Sequence, residues 1–96
     1  MSKNTEMNID PVVVEAVSYL GGNSELMSRF LEMTGADAND IVATIAQTGT
    51  QSAILEFFLN HEPSLLEFCS NRQIKPELVN TAFMRLSGAN KVINSI

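Results

Sequence analysis

The stretch Thr50-Gln51-Ser52-Ala53-Ile54-Leu55-Glu56-Phe57-Phe58-Leu59-Asn60 carries one charge, on Glu56. Placed on a helix, Ala53, Ile54, Leu55, Phe57, Phe58 and Leu59 cover nearly the whole circumference. A helix with almost no polar face belongs in the middle of a fold or against a partner, so the segments on either side must supply its walls. Thr48 or Thr50 opens it, since a hydroxyl side chain suits the N-cap.

Upstream, the punctuation is that of short helices. Asp10-Pro11 reads as an N-cap followed by proline at the first helical position, where a missing N–H is no loss. Val12, Val13, Ala16, Val17 and Leu20 then share one face before Gly21-Gly22, and Ile9 and Val14 are placed as a hydrophobic staple. A second helix runs from Ser24 to Thr34, with Leu26, Met27, Phe30 and Leu31 inward and Gly35 in place for a left-handed cap. Asp37 caps a third, with Asp40 as a weaker capping box and Ile41, Val42 and Ile45 inward. Downstream, Pro63 starts a fifth helix carrying Leu65, Leu66, Phe68 and Cys69. Pro76 starts a sixth, with Leu78, Val79, Ala82, Phe83 and Leu86 before Gly88, and Ile74 and Val79 repeat the staple spacing.

No alternating stretch is long enough for a strand. The expected fold is therefore all-α: one compact domain of about six short helices over residues 10–88, following a flexible leader at 1–9 and preceding a tail at 89–96. The apolar positions of that tail are Val92, Ile93 and Ile96.

A chain of 96 residues is one domain at most, and it buries about two thirds of its extended-chain surface. An apolar content of 45% with 18% charged residues excludes a disordered tail, and no run approaches the roughly 20 apolar residues of a membrane span. Nothing basic and amphipathic suggests a membrane-surface helix. Eleven Asp and Glu against six Lys and Arg repel phosphate backbones, which argues against generic nucleic-acid binding. The acid is uneven. Glu6, Asp10, Glu15, Glu25, Glu32, Asp37 and Asp40 face only Lys3 and Arg29 in the first half, whereas Glu56, Glu62, Glu67 and Glu77 are balanced by Arg72, Lys75, Arg85 and Lys91. Cys69 is the single cysteine, the chain has no Asn-x-Ser/Thr sequon, and the first ten residues lack an apolar signal core. A reducing cytoplasm is the expected location.

A shift of 38 residues pairs Val17 with Leu55, Tyr19 with Phe57, Leu20 with Phe58, Phe30 with Phe68, Ile41 with Val79 and Ile45 with Phe83. The helix-opening positions Ala38 and Pro76 pair as well. Two pseudo-repeated three-helix units would follow. Identity is weak, because Gly21-Gly22 faces Leu59-Asn60 and Gly35 faces Gln73, and amphipathic helices of similar length also align by chance.

Candidate chemistry is sparse. His61-Glu62 places a carboxylate beside an imidazole, yet adjacent helix-start residues seldom face each other; the simpler reading makes Glu62 a cap or dipole partner of the Pro63 helix and His61 a surface residue. Cys69 falls on the inward face, as an inert buried thiol. Zinc needs three or four ligands that this chain lacks, and Asp37-Ala38-Asn39-Asp40 continues to Val42 and Thr48 where a calcium loop needs Gly and Glu. Gly21-Gly22 is a turn and not a phosphate cradle. A helix-turn-helix around Thr48-Gly49-Thr50 fails for want of any Lys or Arg from Gln51 to Asn60. No metal and no cofactor is expected.

The strings Arg29-Phe30-Leu31-Glu32-Met33-Thr34-Gly35-Ala36-Asp37, Ile54-Leu55-Glu56-Phe57-Phe58-Leu59 and Glu62-Pro63-Ser64-Leu65-Leu66 together resemble a known family. It comprises small all-helical proteins, found mainly in alphaproteobacteria, that are catalogued only as a domain of unknown function. The resemblance spans about Asp10 to Gly88. It implies a bacterial cytoplasmic location and a compact helical fold, and transfers no site residue. Ala36 departs from it, standing where a larger apolar residue is usual.

Tyr19, Met33, Phe57 and Met84 lie off the inward stripes and are the candidate interaction residues. The functional expectation is a non-enzymatic protein-interaction module that binds another protein or a second copy of itself. Its contact surface would be an apolar patch from the first and fourth helices around Tyr19 and Phe57, beside an acidic rim. Two alternatives belong to other classes: an acidic decoy that occupies a nucleic-acid-binding protein, and a small enzyme using His61, Glu62 and Cys69.

Overall fold

In chain order the helices are α1 (Pro11–Gly21), α2 (Ser24–Thr34), α3 (Ala38–Ala43), α4 (Thr48–Leu59), α5 (Glu62–Arg72) and α6 (Pro76–Ser95). The structure, a computed structural model, describes the backbone of residues 10–95 and the side chains of residues 10–88. The expected leader at 1–9, including the Ile9 half of the first staple, lies outside these limits, as do Ile96 and the side chains of Val92 and Ile93. Among the described residues there is no strand, and no helix is long and apolar enough to cross a membrane. The described residues form an all-α fold with six helices, as the periodicity predicts.

Local chemistry accounts for most boundaries. The Asp10 carboxylate accepts from the Val12 amide at 2.8 Å, and Asn23 Oδ1 accepts from the Leu26 amide at 3.2 Å. Gly35 ends α2 at φ 73°, a left-handed conformation that glycine adopts without a Cβ clash. Other expectations need correction. Asp37 occupies the N-cap of α3, but its side chain makes no capping bond. The N-cap position of α5 is His61, so of the two readings of Glu62 the dipole partner holds: it is the acidic residue of the first turn. Helix α3 stops at Ala43, so Ile45 sits in the following turn and Val42, expected inward, is 73% exposed. Leu66 and Leu78 also face outward. Gly88 does not end the last helix, which continues to Ser95.

Helix α4 lies at the centre, as its apolar circumference requires. Ile54, Leu55, Phe57 and Phe58 are all buried, and each such side chain contributes about 1.5–3 kcal/mol relative to exposure. Phe58 stacks on Phe68 of α5 with ring centroids 4.8 Å apart. Val13, Ala16 and Leu20 of α1 and Val79 and Ala82 of α6 complete the core around it.

The 38-residue periodicity is present in the backbone. Displaced by that interval, α2 falls on α5 end to end, and α3 and α6 start in register. The N-caps Asn23 (φ −128°, ψ 99°) and His61 (φ −131°, ψ 92°) share one conformation, as do the preceding Gly22 (φ −90°, ψ 3°) and Asn60 (φ −87°, ψ −4°). Gly35 and Gln73, the two left-handed residues among those described, are counterparts. The packing exchanges too. Tyr19 meets Phe68 across the units at 5.3 Å, and the counterpart pair Phe57 and Phe30 meets at 5.4 Å. This is the relation of a pseudo-two-fold axis between unit one (α1–α3) and unit two (α4–α6). It fails at the third helix: α3 has six residues and buries none, whereas α6 has twenty and packs along α4.

Candidate functional site

The sequence candidates do not form a surface patch. Phe57 is 2% exposed, with its ring edge-on to Phe30 and Phe58. Tyr19 packs against Phe58 and Phe68, its hydroxyl accepts from Asn71 Nδ2 at 2.9 Å, and the Arg72 guanidinium lies 5.4 Å over its ring. Both aromatics thus belong to the seam between the units. They looked surplus because a single helical stripe was assumed for α1 and α4, whereas each helix is walled on two sides. Met33 on α2 and Met84 on α6 are exposed, each at 59%, and lie outside the linings of the groove, pocket and cleft described below.

The apolar surface that the fold does open lies elsewhere. Val13, Val14 and Val17 of α1, with Ser18 and with Ile45 and Gln51 opposite, line a groove of about 290 Å³. Val14 is 49% exposed. The wall is almost wholly aliphatic because the one amide in it is already engaged: buried Gln51 donates through Nε2 to the Ile45 carbonyl at 3.0 Å. That bond pins the α3–α4 turn over the groove, and Thr50 Oγ1 donates to Thr44 Oγ1 at 2.7 Å beside it. The signal in the sequence was Val14, an apolar residue off the α1 stripe, which the staple had accounted for locally.

A polar pocket of about 190 Å³ lies where the starts of α2 and α5 meet. Its lining consists of four counterpart pairs (Asn23 with His61, Glu25 with Pro63, Leu26 with Ser64, Arg29 with Glu67), which places it on the pseudo-two-fold axis. His61 Nδ1 is 2.6 Å from Ser64 Oγ, and Arg29 Nη1 is 3.3 Å from His61 Nε2. A guanidinium only donates, so Nε2 accepts and the imidazole proton sits on Nδ1, donating to Ser64. A base that activates a serine needs the opposite arrangement, with a bare nitrogen toward the hydroxyl. His61 occupies the N-cap position of α5 without a capping bond to the backbone; its ring meets the Ser64 hydroxyl of the third helical residue, whereas Asn23 in unit one accepts from the Leu26 amide.

The proposed His61, Glu62 and Cys69 constellation is not assembled. Glu62 does not line the His61 pocket. Cys69 lies in a separate cleft with Leu66, Ile74 and Pro76, and burial pushes its thiol up, away from the nucleophilic form. Among the described residues no three His, Cys, Asp or Glu side chains gather as a metal site.

Charge is redistributed by the fold. Arg72 donates to Glu15 at 2.6 Å, and Arg85 pairs with Asp10, so two cations of the second half neutralise two acids of the first. Glu25, Glu32, Asp37 and Asp40 on α2 and around α3 are in neither of the two ion pairs among the described residues. With Arg72 and Arg85 so engaged, Glu56, Glu62, Glu67 and Glu77 of the second half are opposed by Lys75 among the described side chains, so the pairing spreads the acidity of the sequence over both units.

Fold and surface together define a small, acidic two-unit helical domain with an aliphatic groove. The family described as a protein of unknown function (DUF3572) matches residues 10–89, and the chain belongs to it. No curated protein and no solved structure matches the chain.

Proposed function

We propose that this chain is a non-enzymatic module that binds another protein through the groove along α1. The observation that carries the reading is the groove itself, an open aliphatic trough floored by Val13 and Val17 and edged by half-exposed Val14. Small-molecule sites carry a few converging polar groups that orient the ligand; this lining is four aliphatic side chains with Ser18 and Gln51, whose amide is tied to the Ile45 carbonyl through Nε2. The net charge of −5 steers a basic partner and repels nucleic acid and anionic lipid. The reading places the module in a bacterial cytoplasm, where the buried Cys69 thiol stays reduced.

A photo-activatable cross-linking residue substituted at Val14, and separately at Met33, tests this in the expressing cell. Protein adducts at Val14 that are absent at Met33 are the expected result. Equal patterns at the two positions, or none at Val14, overturn the reading.

A further inference from the structure

We propose that the occupant of this groove is an amphipathic α-helix with a basic outer face, seated on α1 as α6 is seated on α4. The inference rests on the interaction reading above and supplies the chemistry of the partner.

The pseudo-two-fold relation shows what covers the equivalent ground. In unit two, α6 passes Phe83 and continues over α4, where Ser87 Oγ lies 3.4 Å from Ser52 Oγ and Leu86 packs against the core. The counterparts of Phe83, Ser52 and Leu55 are Ile45, Val14 and Val17, three of the residues that line the groove. Unit one begins the same course. Its third helix starts in register with α6, but ends at Ala43 and turns at Thr44–Gln47 to enter α4. The helical turns that in α6 carry Leu86 and Ser87 have no counterpart. Where they would lie, valine replaces serine and stands half exposed.

The surface left open is thus one against which this fold packs a helix in its other half. Helix-in-groove recognition reads apolar anchors at i, i+3, i+4 and i+7, the spacing of Val79, Ala82, Phe83 and Leu86. Charge selects the occupant. Glu25, Glu32, Asp37 and Asp40 on the groove's own unit are opposed by Arg29 alone outside the two ion pairs. A helix flanked by Lys and Arg is attracted, and a second copy at net charge −5 is repelled.

The probe is a synthetic peptide of residues 76–88 with Glu77→Lys, Asn80→Lys, Thr81→Lys and Met84→Lys, which keeps the inward stripe and makes exposed positions basic. Titrated against the full chain at low salt, it should saturate and gain helical signal. Binding should weaken about tenfold or more with Val14→Glu, which sets a charge in the apolar contact, and less with Val14→Ala. Phe83→Ser with Leu86→Ser in the peptide should abolish binding, and Met33→Glu in the protein should leave it unchanged. No saturation at millimolar peptide, or binding that survives Val14→Glu because the peptide displaces α6 instead, overturns the helix assignment. So does a dimeric mass in light scattering that reverts to monomer with Val14→Glu. If the peptide fails while cross-links at Val14 persist, only the helix assignment falls; if the cross-links are also lost, the interaction reading falls with it.

Discussion

Gln73 holds φ 55° at the end of α5, where its counterpart Gly35 holds φ 73° at the end of α2. For a residue with a Cβ the left-handed region costs roughly 1–2 kcal/mol, while glycine enters it freely but loses more freedom on folding. The two effects oppose, and the steric one is larger. Gln73→Gly should therefore stabilise the fold by about 0.5–1 kcal/mol, raising the melting midpoint by about 2–8 °C in calorimetry. Gly35→Ala should act in the opposite direction. Cys69 makes a prediction of another kind, because burial pushes its thiol up from the ordinary value of 9.0. Below that value folded and unfolded chains hold the proton alike, and the residue adds no slope. Above it the unfolded chain releases the proton first, so the unfolded state binds fewer protons and stability falls as pH rises. Urea midpoints of the parent chain should decline more steeply above pH 9 than those of Cys69→Ala, with parallel profiles below it.

At the scale of elements, the paired helix starts and stops were legible because caps act locally. Asp10, Asn23 and Gly35 each satisfy or release backbone groups within their own turn, so the signal lies within a few residues of the boundary it sets. The end of α6 was not legible, since Gly88 is a permissive residue and neither a cap nor a break by itself. A Cβ built there meets nothing within 4 Å, and its φ is not positive. Gly88→Ala should thus stabilise α6 by about 0.5–1 kcal/mol, read as increased helical signal and a higher melting midpoint; destabilisation would show that the helix breaks at this residue. The inward face was legible for α2, legible in part for α1, whose Tyr19 packs on a second side, and misread for α3, where Val42 is 73% exposed. Periodicity reports that a helix has an apolar side, but whether another element arrives to cover it depends on chain length and turn placement elsewhere. The groove escaped sequence reading for the same reason: Val14 is uncovered because α3 stops about four turns earlier than α6, a comparison that needs both units in space. Phe57 and Tyr19 failed as surface residues because they are the two counterpart rings of the seam between units.

At the scale of the whole molecule, that seam decides whether two units mean two folding bodies. Phe30 of unit one finds its aromatic partner in Phe57 of unit two, and Tyr19 finds Phe68, so each unit completes the other's core instead of closing its own. Arg72 and Arg85 reach back to Glu15 and Asp10 across the same boundary, although such partly exposed pairs are worth only about 0–1 kcal/mol each. The aromatic seam therefore dominates. Total stability for a domain is about 5–15 kcal/mol, and truncating a buried phenylalanine removes about 3–5 kcal/mol, so neither unit retains enough apolar burial to persist without the other. The chain carries its own reporter of this boundary. Tyr19 is its single tyrosine, there is no tryptophan, and the ring lies against Phe68 with its hydroxyl held by Asn71. Tyrosine near-ultraviolet dichroism thus reads the seam, while far-ultraviolet dichroism reads all six helices. The two signals should be lost together in thermal and urea unfolding, with coincident midpoints, and Phe30→Ala should lower both midpoints equally. A helical signal that outlasts the tyrosine signal would mean that one unit stands alone, and the mutual completion inferred from the paired rings would then be wrong.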